Sequence, residues 1–210
     1  MPTQRFLNLK EEKKQVILEA AAHEFSRVPY TSASINQIIK EAGISRGSFY
    51  TYFEDKDDLM RYMLRGFGES CQEQIFEIME EEQGNPFAVP VRFLRQILDQ
   101  GSDGIAYKMY QNMLSDLNVV NQNQLFGIKG FLFQDPSFIR FLDALDSRLD
   151  KNRYPVSRNN LAYAVELAIL VFIKALTMYY KGIADKEQIL TVTENEMRIL
   201  EKGSQEKRGE

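Results

Sequence analysis

Cysteine, histidine and tryptophan are nearly missing from this sequence: one Cys, one His and no Trp stand among 210 residues. A lone cysteine, Cys71, excludes an intrachain disulfide and points to a reducing cytoplasm. One histidine and one cysteine leave a zinc site to carboxylates, and no metal-ligand spacing stands out among them. No metal and no other cofactor is expected. His23 lies between Ala22 and Glu24, opposite much of its helix's apolar stripe, and reads as a solvated side chain. There is no P-loop and no Rossmann glycine fingerprint, so the chain does not read as an enzyme. Basic charge is not in excess either. Lys and Arg number 26 against 30 Asp and Glu, a net charge of −4. That balance argues against broad, charge-driven binding to nucleic acid and leaves only placed contacts. The opening MPTQRFLNLK has no apolar core, so no signal peptide is expected. Strict β-alternation never lasts more than a few residues, and no repeat or low-complexity tract interrupts the chain. The sequence reads as all-α.

One apolar run is as long as a membrane span: LAYAVELAILVFIKALTMYY, residues 161–180. Glu166 and Lys174 interrupt it. With Leu170, Thr177 and Lys181 they mark one edge of a helical projection. The expectation is a helix buried on two sides, and no membrane.

What is present is concentrated in residues 34–56, SINQIIKEAGISRGSFYTYFEDK. Ile35, Ile38, Ile39 and Ala42 recur at i, i+3, i+4 and i+7, one face of an amphipathic helix. Gly43 stops that helix, because glycine takes the left-handed conformation without steric cost. Ile44 follows as a plug, and Ser45 is placed to cap a second, short helix. Phe49 and Phe53 lie four apart and face inward. Arg46, Gly47, Tyr50 and Thr51 lie on another side and are left for a partner. Two helices with a glycine turn and an exposed second helix make a helix-turn-helix, the arrangement that enters a DNA major groove.

These residues carry a family resemblance. Residues 13–64 resemble the N-terminal domain of TetR-type transcriptional regulators in the ILEAAAHEF first helix, S-I-N-Q-I, EAGIS, RGSFYTYF and the K-D-D-L that opens the fourth helix. Two departures are visible: Val28-Pro29 stands where the family more often has glycine, and Ile39 where alanine is common. The resemblance covers about the first third of the chain. It implies a DNA face made of Ser34, Asn36, Ser45, Arg46, Gly47, Ser48, Tyr50, Thr51, Tyr52 and Lys56. Arg46 has the reach for a guanine edge or a phosphate, and the Thr51 methyl for a thymine. Tyr50, Tyr52 and Lys56 suit phosphate, which fixes register but not sequence.

The remaining helices are expected over 9–26, 56–82, about 93–98, 105–117, 122–128, 136–151, 157–181 and 185–201, with fraying from Gly203. Domain boundaries are expected at 1–55 for DNA binding and 56–210 for ligand binding and dimerisation, joined by the long helix that starts at Lys56. Phe67, Cys71, Tyr107 and Tyr110 are candidates to line a pocket, with Met113, Phe126, Phe131 and Phe172; the plain alternative is core packing, and for Cys71 an inert buried thiol. Leu161, Val165, Ala168 and Phe172, with Ile189, Met197 and Leu200, are candidates for a dimer interface of the last two helices. The resemblance implies a cytoplasmic homodimeric regulator, a repressor binding a palindromic double-stranded DNA operator and released by a small-molecule effector. The competing reading is a co-regulator or scaffold of the same fold that acts through protein contact.

Overall fold

The computed structural model describes residues 2–99, Lys108, Asn112 and 136–205, without the side chains of residues 67–69. Regular structure among the described residues is helical throughout. The expected helices over 105–117 and 122–128 lie outside the described residues, apart from helical Lys108 and Asn112. By contacts the chain divides into two units. One is Met1–Glu69 with Gly101–Ile128; the other is Ser70–Gln100 with Lys129–Glu210. The first part of the long helix therefore packs with the N-terminal residues, because Leu59, Met60 and Leu64 are buried in their core.

The first unit holds α1 (Gln4–Leu7), α2 (Glu11–Arg27), α3 (Ile35–Glu41), α4 (Arg46–Tyr52) and the start of α5 (Lys56–Glu81). Ile17, Ala20, Ala21 and Phe25 of α2 meet Ile38 of α3 and Phe49 of α4 in one core. Val28 is extended, as a residue before proline must be, and α2 ends there. The Asn112 amide closes that end, donating to the Phe25 and Ser26 carbonyls at 3.2 and 2.8 Å. At the end of α3, Gly43 has φ +62°, and the amides of Gly43 and Ile44 reach back to the carbonyls of Lys40 and Ile39. That is a Schellman closure, which turns the chain sharply into α4.

Two local details stand out. Ser34 occupies the N-cap of α3, yet its hydroxyl makes no capping bond. Instead its own amide donates to buried Glu24 at 2.9 Å, and Arg27 holds the other Glu24 oxygen at 2.6 Å. The second is α1, which the hydrophobic pattern is too short to announce. Phe6 is fully buried and packs 4.5 Å from Phe53 and 5.2 Å from Tyr62, ring centre to ring centre.

The second unit holds the rest of α5, then α6 (Val89–Asp99), α7 (Pro136–Arg148), α8 (Arg158–Tyr180) and α9 (Lys186–Ser204). Ile78, Met79, Phe87, Phe93, Leu142 and Leu161 share its larger core. Gly84 closes α5 with φ +75° and lies against the end of α7. A Cβ there would stand 2.5 Å from the Asp150 amide nitrogen and 2.7 Å from the Arg148 carbonyl oxygen. α7 stops at Arg148, short of residue 151, because Asp150 turns its carboxylate to the amides of Asn152 and Arg153. α9 starts with a capping box, Asp185 with Gln188. It runs on to Ser204 without fraying at Gly203, where Asn160 of α8 donates to the Ser204 carbonyl at 3.1 Å.

α8 has the length and composition of a membrane span, and only 22% of its most apolar stretch is buried by this chain. The expected burial on two sides is thus not met within one protomer. Leu161, Ala162 and Ala164 face the core, while Leu167 and Leu170 stay exposed.

Candidate nucleic-acid interface

The exposed face of α4 is built from its first residue. Ser45 caps the helix, its Oγ accepting the Ser48 amide at 3.0 Å and lying 2.9 Å from the Ser48 hydroxyl. This leaves Arg46 one turn before Tyr50. Its Nη2 donates to the Tyr50 hydroxyl at 3.2 Å, and its Cζ sits 5.3 Å from the centre of the Tyr50 ring. Nη1 donates to Asn36 Oδ1 on α3 at 2.6 Å. Asn36, Arg46 and Tyr50 line a shallow cleft with Ser34 and Lys56. All three are exposed, and nothing would crowd a Cβ at Gly47 closer than 3.8 Å, so a partner's backbone could come near. Cation–π contact and two hydrogen bonds hold one guanidinium plane in place.

Other expected contacts are placed differently. Thr51 gives its hydroxyl to the Gly47 carbonyl at 2.8 Å, a bond inside the helix. Tyr52 is half-buried and packs on the head core, 6.0 Å from the Phe6 ring. Lys56 is half-buried too. Its ammonium donates to the carbonyls of Tyr30, Thr31 and Ala33 at 2.8, 3.3 and 3.2 Å, and lies 4.7 Å from the centre of the Tyr30 ring. Tyr30 in turn donates to Asp57. Burial and that carboxylate push the Tyr30 phenol well above its ordinary range, so it stays a donor. Lys56 therefore ties the α2–α3 link to α5. We expect Lys56→Met to lower the stability of the head by about 2 kcal/mol in denaturant melts. The salt dependence of DNA binding should stay as it was; a slope shallower by about one would put Lys56 back on a phosphate.

Sequence reasoning passed over Thr3. Its amide and hydroxyl donate to the Tyr52 and Thr51 carbonyls at 2.9 and 2.7 Å, satisfying the open end of α4. The available signal was the Pro2–Thr3 start ahead of the apolar residues Phe6, Leu7 and Leu9. The letters Gly43-Ile44-Ser45-Arg46-Gly47 also spell a hydrolase-like G-x-S-x-G. Here Ser45 is a helix cap between two helices, and the chain's only histidine, His23, is taken by Glu41. No group of three or more metal-binding side chains gathers among the described residues.

In the second unit, Phe172 stacks on Phe93 at 5.4 Å and 11°, and half-buried Cys71 packs beside the same core. Burial pushes the Cys71 thiol up to about 12, so it is protonated at neutral pH. Phe67's side chain, Tyr107, Tyr110, Met113, Phe126 and Phe131 lie outside the described residues. Leu161, Ile189 and Met197 are almost wholly buried in the protomer, which leaves them nothing to offer a second copy. Val165, Ala168, Phe172 and Leu200 are half-buried.

The model of bacterial regulatory proteins of the tetR family matches residues 17–63, which run from α2 to the first turns of α5. The HTH-type transcriptional regulator AcrR of Shigella flexneri is 35% identical over 88 residues, 42% of this chain and 39% of its own length. Residues 17–63 thus carry the DNA-binding domain of the TetR family. Among solved structures, reduced NemR of Escherichia coli matches with a TM-score of 0.57 at 16% identity, over 90% of this chain and 96% of that one. FadR of Bacillus subtilis, in complex with stearoyl-CoA, matches with 0.55 at 16% identity, over 90% and 98%. At such identity these two speak for the TetR fold alone. The chain spans only 23% to 39% of the length of the first curated relatives. The all-α architecture with an N-terminal helix-turn-helix, expected from the sequence, is the TetR one.

Proposed function

We propose that this TetR-family regulator acts in the cytoplasm as a homodimeric repressor of a palindromic operator, and that a small effector held in the second unit releases it. The observation that carries the reading is the exposed guanidinium of Arg46, positioned on the first turn of α4 beside an open Gly47. A helix that presents a fixed donor fork and little bulk suits a major groove.

Pairing is supported by α8 and α9. Leu167, Leu170 and Lys174 recur along α8 at i, i+3 and i+7; Val192, Glu196 and Ile199 recur along α9 at i, i+4 and i+7. Lys174 pairs with Glu196, which joins the two stripes into one surface. Leu170 is 51% exposed and Ile199 70%, too much apolar side chain for a lone protomer to leave in water. A two-fold pairing through this surface gives each operator half-site its own α4. Effector control is supported by the separate core of the second unit and by α5 reaching from one unit to the other. Near-complete release would need the effector to favour the non-binding state by roughly 10⁴-fold.

The experiment is a gel-shift titration of purified protein with the DNA upstream of its own gene. A shift that unlabelled upstream DNA competes away, and unrelated DNA does not, is expected. No preference over unrelated DNA at near-physiological salt would return the chain to a role through protein contact.

A further inference from the structure

Asn36 and Tyr50 hold the Arg46 guanidinium from two sides, and we infer that they are positioning residues that set Arg46 to read a guanine in each operator half-site. The inference rests on the operator-binding reading above and deepens it.

Arginine has only donors, so the Asn36 amide must turn its oxygen, not its nitrogen, toward Nη1. An asparagine that reads adenine needs that oxygen for the base's amino group. At 2.6 Å from a cationic donor, Asn36 Oδ1 is already engaged. Asn36 therefore serves the guanidinium before any base. Tyr50 must likewise accept from Nη2, which leaves its own proton for a phosphate oxygen.

A guanidinium has five N–H groups, and about two are used here. The other N–H of Nη1, the other of Nη2 and that of Nε are left. Both partners are uncharged, so the positive charge is undiminished. A phosphate can also take the fork bidentately, but its tetrahedral oxygens offer such a pair from several directions, so it gains less from a plane fixed beforehand. The O6 and N7 acceptors of guanine lie side by side in the plane of the base and need two donors in register. Fixing the fork before DNA arrives removes the rotamer freedom that a bidentate contact would otherwise cost.

Binding sites selected by the purified protein from a randomised duplex pool give the test. Each enriched half-site should hold one strongly preferred guanine. Replacing it with 7-deazaguanine, which lacks the N7 acceptor, should weaken wild-type binding about tenfold, whereas inosine, which keeps O6 and N7, should not. Asn36→Ala and Tyr50→Phe should each erode the preference at that base pair and leave the salt dependence and the other positions alone. Arg46→Lys should not restore it, since an ammonium has no planar fork. An enriched site whose guanine preference survives Arg46→Ala, or tolerates 7-deazaguanine, would overturn the inference and leave operator binding standing. No enriched sequence at all would overturn both.

Discussion

Phe6→Ala should cost the head about 3–5 kcal/mol, the range for emptying a fully enclosed phenylalanine site. Phe6 is at 0% exposure and touches the rings of Phe53, Tyr62 and Tyr52, so no solvent is at hand to fill the space. The loss should spread to α4, because Thr3 bonds to the last carbonyls of that helix from the same short segment. Hydrogen exchange is the suitable readout. Amides of α2 and α4 should lose protection together while those of α8 and α9 keep theirs, since the latter belong to a separate core. Operator affinity should fall with the protection. Protection of α4 within about 1 kcal/mol of wild type would mean that the N-terminal segment only decorates the head.

Leu170→Glu should turn a dimer into a monomer in sedimentation, with operator affinity down about a hundredfold or more as the second head is lost. The protomer should melt almost as before, because Leu170 is already half in water and such sites move stability by about 0.5 kcal/mol or less. Leu161→Glu is the informative contrast. Leu161 is at 0% exposure in the second core, so the same carboxylate there should unfold that unit rather than separate two copies. A Leu170→Glu protein that still sediments as a dimer would remove the α8 stripe from the interface.

How far the fold could be read from the sequence depended on how local its causes are. Gly43, Ser45 and the Ile35–Ala42 periodicity act within a few residues, and α3, the turn and α4 came out as they were read. Lys56 shows the opposite case. Its carbonyl partners lie 23 to 26 residues earlier in the chain, and nothing in the letters beside a helix-turn-helix announces them. α8 shows a third limit. It is apolar on nearly every side, so its period does not say which leucines face inward; Leu161 and Leu170 are alike as letters and opposite in burial. The Arg46 cluster was half legible. Its members were on the expected face, but the bond from Arg46 to Asn36 crosses between two helices and follows from the turn angle alone.

Gly84 limits how α5 can move. Its backbone lies against the Arg148–Asp150 backbone with no room for a single carbon, and the Asp150 amide bonds to the Gly84 carbonyl. Main chain clasped to main chain cannot give way by a change of rotamer. Sliding of this 26-residue rod along its own axis would have to break that main-chain clasp.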